Sequence, residues 1–258
     1  MKNFIQSGRY FYAIAVIGFG VIQFVTNNFL TALLPLPATL PGRMLLMYFT
    51  STLFATSGIC IFIDRAAKTA AVILAVIFII FLLYPNSSTL IANLNNAPDW
   101  TVVFENMALC SGALILTSLV TPGFSANNGW KTKTNLPFTT GKYLFAISLV
   151  VFGIQHFMYN DFISTLIPGW IPAHNVWLFF VKIAFIATAI SIFINILVHL
   201  STFLFGLMFL IWVLILHGPL VATHLHVEPQ WTSFFIAVAM CGISFMLSYA
   251  SSKKNSIK

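Results

Sequence analysis

Phe19-Gly20-Val21-Ile22-Gln23-Phe24 and Phe152-Gly153-Ile154-Gln155-His156-Phe157 are two versions of one hexapeptide, separated by 133 positions. The same offset relates Gly8-Arg9-Tyr10 to Gly141-Lys142-Tyr143. It also relates Asn27-Asn28-Phe29 to Asn160-Asp161-Phe162, and Leu33-Leu34-Pro35 to Leu166-Ile167-Pro168. Further along the offset becomes 131: Phe62-Ile63-Asp64 with Lys68 matches Phe193-Ile194-Asn195 with His199. Trp100-Thr101, Phe104, Ala108 and Cys110 then match Trp231-Thr232, Phe235, Ala239 and Cys241. Chance does not sustain such a series over a whole chain, so the halves read as an internal repeat.

Composition says what is repeated. Of 258 residues, 59% are apolar and only 7% are charged, and the mean hydropathy is +0.96. A soluble domain carries charge on about a quarter of its residues. This balance excludes a soluble enzyme, a disordered chain and a secreted disulfide scaffold. Eight apolar runs follow one another, over 10–27, 44–63, 66–84, 101–120, 143–159, 176–194, 199–217 and 231–249. Their lengths are near the roughly 17–25 residues that cross a bilayer as helix, and they lack the alternation of a membrane β-barrel. The expected fold is an all-α integral membrane protein with eight transmembrane helices in two four-helix repeats. An even number of spans per unit sends both copies into the bilayer in the same direction, a parallel repeat. The expected division is 1–126 for the first unit, 127–140 for a cytoplasmic linker with Gly129, and 141–258 for the second unit. Lys2 and Arg9 before the first run suggest a signal peptide, but no small-residue cleavage site follows, and the run has an internal counterpart.

The net charge of +7 does not indicate nucleic acid, because its distribution is topological. Lys2, Arg9, Arg65, Lys68, Lys131, Lys133, Lys142, Lys253, Lys254 and Lys258 fall on one side, with Asp64 the one acid there. Asp99, Glu105, Asp161 and Glu228 fall on the other. The positive-inside rule then places both termini in the cytoplasm of a cytoplasmic-membrane protein. Cys60, Cys110 and Cys241 lie within apolar runs at no metal-binding spacing, and read as small buried side chains.

The outward side holds the chemistry. The connections 28–43 and 161–175 are mostly apolar and broken by prolines, as expected of interfacial or re-entrant segments. The third and seventh runs stop at Pro85 and Pro219. Five of six histidines lie near this face, all in the second half: His156, His174, His217, His224 and His226. Their counterparts do not ionise near neutral pH, with Gln23 for His156 and Tyr84 for His217. His199 replaces Lys68 at the inner turn and reads as a headgroup-facing residue. Two charges, Glu105 and Lys182, stand several residues inside their runs. Charge at depth is expensive and usually faces a bundle interior, so these two are expected to pair or to line one pocket, with snorkelling to the interface as the alternative.

Three chemistries compete for these residues. A metal could use His224 and His226 with Glu228 or His217. A haem could use His156 and His217, though no C-x-x-C-H motif is present. A quinone or similar lipophilic redox ligand needs an apolar aromatic cleft with hydrogen-bonding groups. Phe157, Trp170, Trp177, Phe179 and Phe180 could supply the cleft, with His156, Lys182, His217, Glu105 and His174 as its polar groups. The quinone reading is preferred over metal and haem. Phosphate loops, the G-x-S-x-G elbow and H-E-x-x-H are absent from the sequence, which speaks against nucleotide or peptide hydrolysis.

Phe152 to Phe157, then Ile167-Pro168-Gly169-Trp170-Ile171-Pro172-Ala173-His174, then His217-Gly218-Pro219 with Trp231, resemble the DoxX-like family of small helical membrane proteins. Trp100 to Glu105 and Cys110 to Gly112 in the first half do so too. The resemblance covers nearly the whole chain. It implies a four-helix unit, here present twice, and association with quinone-linked sulfur oxidation or redox-stress membrane complexes, with a redox partner protein. The sequence departs from that pattern at Lys182 and at Gln23. The expected function is therefore a quinone-linked membrane subunit with an outward-facing pocket. The alternatives are a small-solute carrier using the same cleft and an assembly subunit with no ligand.

Overall fold

A computed structural model describes residues 7–31, 33–37, 39–122, 124 and 135–252. Most of the expected linker lies outside the described residues, as do Lys2, Lys131, Lys133, Lys253, Lys254 and Lys258. Among the described residues the chain is helical without strands, and eight helices are long and apolar enough to cross a membrane. They are α1 (Gly8–Thr26), α2 (Arg43–Phe62), α3 (Ala67–Ala92), α4 (Ala97–Leu119), α5 (Leu136–Met158), α6 (His174–Ile194), α7 (Val198–Thr223) and α8 (Glu228–Ser252). A short helical segment, Asn160–Ser164, follows α5.

Local chemistry sets these boundaries. Pro98 and Pro137 sit in the first turns of α4 and α5, where a missing N–H costs nothing. Helix α5 thus takes in residues 136–140, which the sequence assigned to a linker. Asn27 and Asn195 close α1 and α6 in the left-handed conformation, a common C-terminal device for Asn. Hydroxyls inside the helices return to the preceding turn, as in Ser51 to the Met47 carbonyl and Ser244 to that of Met240. This gives those hydroxyl donors an acceptor in apolar surroundings.

Helices α3 and α7 do not stop at their prolines, contrary to the sequence reading. Each passes through one wide π turn, Leu82–Asn86 in α3 and Val213–His217 in α7, and continues for six more residues. In α3 the turn holds Pro85, and Tyr84 leaves helical geometry to admit it (φ −162°, ψ 123°). In α7, Pro219 falls in the first turn of the continuation, where its missing N–H is tolerated.

Each helix packs on its neighbours in sequence, α8 closes back onto α1, and α4 touches α8 across the middle. The result is two lobes with a common wall: α1, α2, α3, α4 and α8 surround one, and α4, α5, α6, α7 and α8 the other. The wall helices α4 and α8 are the most buried of the eight. Backbones nearly touch where one half meets the other. A Cβ on Gly8 would lie 2.7 Å from the Gly242 carbonyl oxygen, and one on Gly141 would lie 2.8 Å from that of Ser111. Small residues at helix crossings bring backbones together where apolar burial cannot drive association.

The end bearing Arg9 and Lys142 is tied in matching fashion in both halves. Arg9 pairs with Asp64 at 2.8 Å, and the Lys142 ammonium donates to the Asn195 side-chain oxygen at 3.0 Å. Tyr10 meets Phe62 and Tyr143 meets Phe193, with ring centroids 5.3 and 6.0 Å apart. His199 is not a free headgroup-facing residue: its ring bonds the backbone and hydroxyl of Ser248 on α8.

The glycine contacts give a prediction. Gly242→Ala and Gly141→Ala each force backbones apart and lower stability by about 1–3 kcal/mol, read as a reduced thermal midpoint in detergent. Gly169→Ala, with open space around it, leaves the midpoint unchanged.

Candidate functional site

The lobe formed by α1–α4 and α8 is plugged. After α1 the chain turns inward, and Phe29, Leu30, Leu33 and Leu34 are 0–2% exposed within the main core. A backbone segment in such a place needs donors for its carbonyls. The Leu33 carbonyl accepts from Asn106 Nδ2 at 2.7 Å and from Asn86 Nδ2 at 3.5 Å. Asn106 comes from α4 and Asn86 from the last position of the π turn in α3.

The other lobe is open at the same level. It holds an open cavity of about 850 Å³ lined by α4, α5, α6, α7, α8, the segment after α5, and Thr31 and Pro35 of the plug segment. The segment after α5 is the counterpart of the plug, with Phe29, Leu33 and Pro35 repeated as Phe162, Leu166 and Pro168. Yet Phe162 is 67% exposed and Leu166 49%, while Ile167 is buried in a separate cluster with Ile171 and Leu178. The side chains that hold the plug explain the difference. At the positions of Asn86 and Asn106 the second half carries His217 and Ala237. The first also ends a π turn, so His217 corresponds to Asn86, and the expected pairing with Tyr84 is wrong by two positions. Ala237 has no amide to offer. Among the described residues no side chain donates to the Leu166 carbonyl, and the segment stays at the rim.

The cavity wall is mainly apolar, with Phe152, Phe185 and Phe209 among its rings. Phe185 packs edge-on against Phe152 and Phe209 and lies against the His156 ring, with centroids 4.9 Å apart. Glu105, His156 and His217, named from the sequence, all line this space. Glu105 is half-buried, eight residues into α4, about 12 Å along the helix. Among the described residues its carboxyl has no hydrogen-bond or ion-pair partner. The His156 Nδ1 is 2.7 Å from the Phe152 carbonyl oxygen. Only an N–H can make that contact, which leaves Nε2 of the neutral ring as an acceptor. The Nδ1 of His217 is buried without a partner.

Other residues named from the sequence are elsewhere. Lys182 is buried, but it is not part of the cavity wall and does not pair with Glu105. It donates to Asn160 Oδ1 at 2.5 Å and lies over the Phe157 ring. The turn after α5 brings Asn160 to it, an acceptor that two separate helix readings could not reveal. Trp170 is 70% exposed, and His174 contacts the Pro168 carbonyl at 3.3 Å, so neither lines the cavity. Trp177, Phe179 and Phe180 are exposed. His224 bonds Thr223 and the Leu220 carbonyl, while Glu228 accepts from Thr31 and Thr232. Among the described residues no three His, Cys, Asp or Glu side chains are grouped to hold a metal ion. The three cysteines are free thiols, with Cys110 and Cys241 buried.

Sequence reasoning missed Gln155 and Thr101. The Gln155 amide nitrogen spans from α5 to α4, donating to the Ala97 carbonyl at 3.2 Å and to Thr101 Oγ1 at 3.1 Å. Ala97, Thr101 and Glu105 are spaced by four and form one stripe of α4. A signal was present: Gln155 precedes His156 and replaces Ile22 of the first half.

Eight apolar helices of spanning length, five of which line a large ring-lined cavity, give the architecture of an integral membrane protein. No protein-family model, no curated protein and no solved structure matches the chain.

The plug contacts give a prediction. A Cys at position 166 is modified rapidly by a water-soluble maleimide, and a Cys at position 33 is not. Adding Asn106→Ala removes the nearer donor to the Leu33 carbonyl, costs about 1–3 kcal/mol, and makes Cys at 33 reactive.

Proposed function

We propose that this chain is a cytoplasmic-membrane protein of the DoxX-like type, with both termini cytoplasmic. In this reading the second lobe holds a lipophilic redox ligand of the quinone class, as part of a membrane electron-transfer system. The two units, 1–126 and 141–258, are read as parallel repeats. Supporting this are the matched Arg9–Asp64 and Lys142–Asn195 ties, the two π turns and the two glycine crossings. The orientation rests on Arg9, Arg65, Lys68 and Lys142 at the helix ends opposite the cavity, and on the further lysines that the sequence assigns to the same side.

The observation that carries the functional reading is the contrast between the lobes. A segment that fills one lobe stands aside in the other and leaves about 850 Å³. Small-molecule sites are mainly apolar, in the range of about 300–1,000 Å³, with a few convergent polar groups. A ring-bearing head fits beside Phe152, Phe185 and Phe209, and among the described residues of the cavity wall the His217 Nδ1 is buried without a bond. A quinone supplies two-electron, two-proton chemistry when bound. The chain's own part is to seat the head among the rings, keep water out, and accept or return protons at Glu105 and the His156 Nε2. Lys182, engaged by Asn160, has no part in this.

The test is purification in mild detergent, followed by an absorption spectrum and mass spectrometry of the solvent-extracted material. A quinone at one equivalent per chain is the expected result. The double variant His217→Asn with Ala237→Asn restores the amides that hold the plug, and is expected to lower that amount at least fivefold while keeping the protein folded. A protein that carries no quinone and binds none when it is added overturns the reading.

A further inference from the structure

A lysine within the span of a membrane helix is costly, yet Lys182 does not line the cavity and, among the described residues, meets no acid. It grips the turn after α5, donating to Asn160 Oδ1 and lying over the Phe157 ring, 5.1 Å from its centroid. The first half shows what stands at the same places when the segment is inside the lobe. Helices α2 and α6 begin alike, each after a left-handed residue, Gly42 and Ala173. That start fixes the offset at 131, and so matches Lys182 to Ser51 and His174 to Arg43. Ser51 turns its hydroxyl back to the Met47 carbonyl, and Asn27, the counterpart of Asn160, accepts from the Tyr48 hydroxyl. The cation of that half, Arg43, holds the plug itself: it donates to Asn28 Oδ1 and covers the Phe29 ring. In the second half His174 takes that place and contacts the Pro168 carbonyl at the rim. Ile167, the counterpart of the core residue Leu34, is buried at the rim with Ile171 and Leu178. One cation thus draws its segment in, and the other holds its segment by the turn outside.

The way in stays available to the second segment. Phe162 and Leu166 are exposed and already line the mouth of the cavity, and burial of such side chains is favourable. Inside, the Leu166 carbonyl needs a donor. The Nδ1 of His217, at the position of Asn86, is buried there without a bond, and it donates when it carries the ring proton.

We infer that Lys182 is a latch: its bond to Asn160 keeps the segment after α5 at the rim, and release lets the segment enter the lobe in place of the ligand. Lys182 is therefore a positioning residue that acts through Asn160 and touches no ligand. The inference rests on the cavity being the ligand site proposed above. Segment and ligand are alternatives for one space, and a ligand binds more weakly by the fraction of chains that are closed. A bond from an ammonium to a neutral acceptor is among the stronger ones, and its loss shifts such an equilibrium about ten- to a hundredfold.

The experiment places a Cys at position 166 of the full chain in detergent and follows its reaction with a water-soluble maleimide, against the chain without that Cys. Lys182→Met is expected to slow the reaction about tenfold, because residue 166 moves inward. Asn160→Ala, which removes the acceptor and leaves the helix interior untouched, serves as a second variant and should do the same. Lys182→Arg, which keeps a donor and a cation over Phe157, should preserve the fast rate. A Cys at position 94, exposed in the first half, should react alike in every variant and so reports that the fold is kept. The ligand probe is a para-benzoquinone with a decyl chain and a fully substituted ring, which leaves no ring position for thiol addition. At saturation it should restore the fast rate of Cys at 166 in Lys182→Met. An unchanged rate in both Lys182→Met and Asn160→Ala overturns the latch and leaves the quinone-class reading standing. A slowed rate that a quinone bound by the parent chain does not restore overturns the exclusion of ligand by segment. A slowed rate with no binding of the quinone to the parent chain supports the latch and overturns the quinone-class reading.

Discussion

A carbonyl oxygen buried among apolar helices must be given a donor, and the shape of this protein turns on one such oxygen, that of Leu33. Two asparagine amides reach it, one from a π turn and one from the wall helix α4. With them in place, a connection that would otherwise lie at the membrane surface can enter the bundle and fill it with Phe29, Leu30, Leu33 and Leu34. In the other lobe the same positions are occupied by an imidazole and a methyl group. The matching connection then has apolar side chains suited to the interior but no partner for its backbone, and it stops at the rim. Two residues out of a whole lobe thus separate a packed interior from one with room for a ligand.

The cavity inherits its character from that substitution. His217, freed from holding a carbonyl, presents its ring to the open space. Rings that pack in the closed lobe, such as Phe19, Phe54 and Phe78, have counterparts in Phe152, Phe185 and Phe209, which now face a void. Glu105 is the exception, because its position in the other half is Ile236. It is an addition to the open lobe and not a leftover from the closed one.

Much of this was legible in the sequence, because span length and charge placement are one-dimensional signals. The eight runs agree with the eight helices to within a few residues at most ends, apart from the continuations of α3 and α7 and the early start of α5. Glu105, His156 and His217 stood out as ionisable groups in apolar runs, and the fold brings all three to one cavity. What the sequence concealed was partnership. Lys182 looks like a mate for Glu105 until the turn after α5 delivers Asn160 to it. Gln155 looks like one polar residue in a helix until α4 comes alongside. Tyr84 was matched to His217 at the offset of the first helices, although two residues are lost from the second copy before that point. The π turns restore the correct register because both end on the residue in question, Asn86 and His217.

The shared wall has a consequence for how the chain can change. Helices α2, α3, α6 and α7 each serve a single lobe, so a substitution there is felt on one side alone. Helices α4 and α8 serve both at once: Asn106 faces the plug while Glu105, its neighbour, faces the cavity. Any bulk added to one face of α4 displaces the other. Tolerance to random mutagenesis should therefore be uneven along the chain, lowest in the two wall helices. Variants with a reshaped cavity should arise most readily on α6 and α7, which can change without disturbing the half that stays closed.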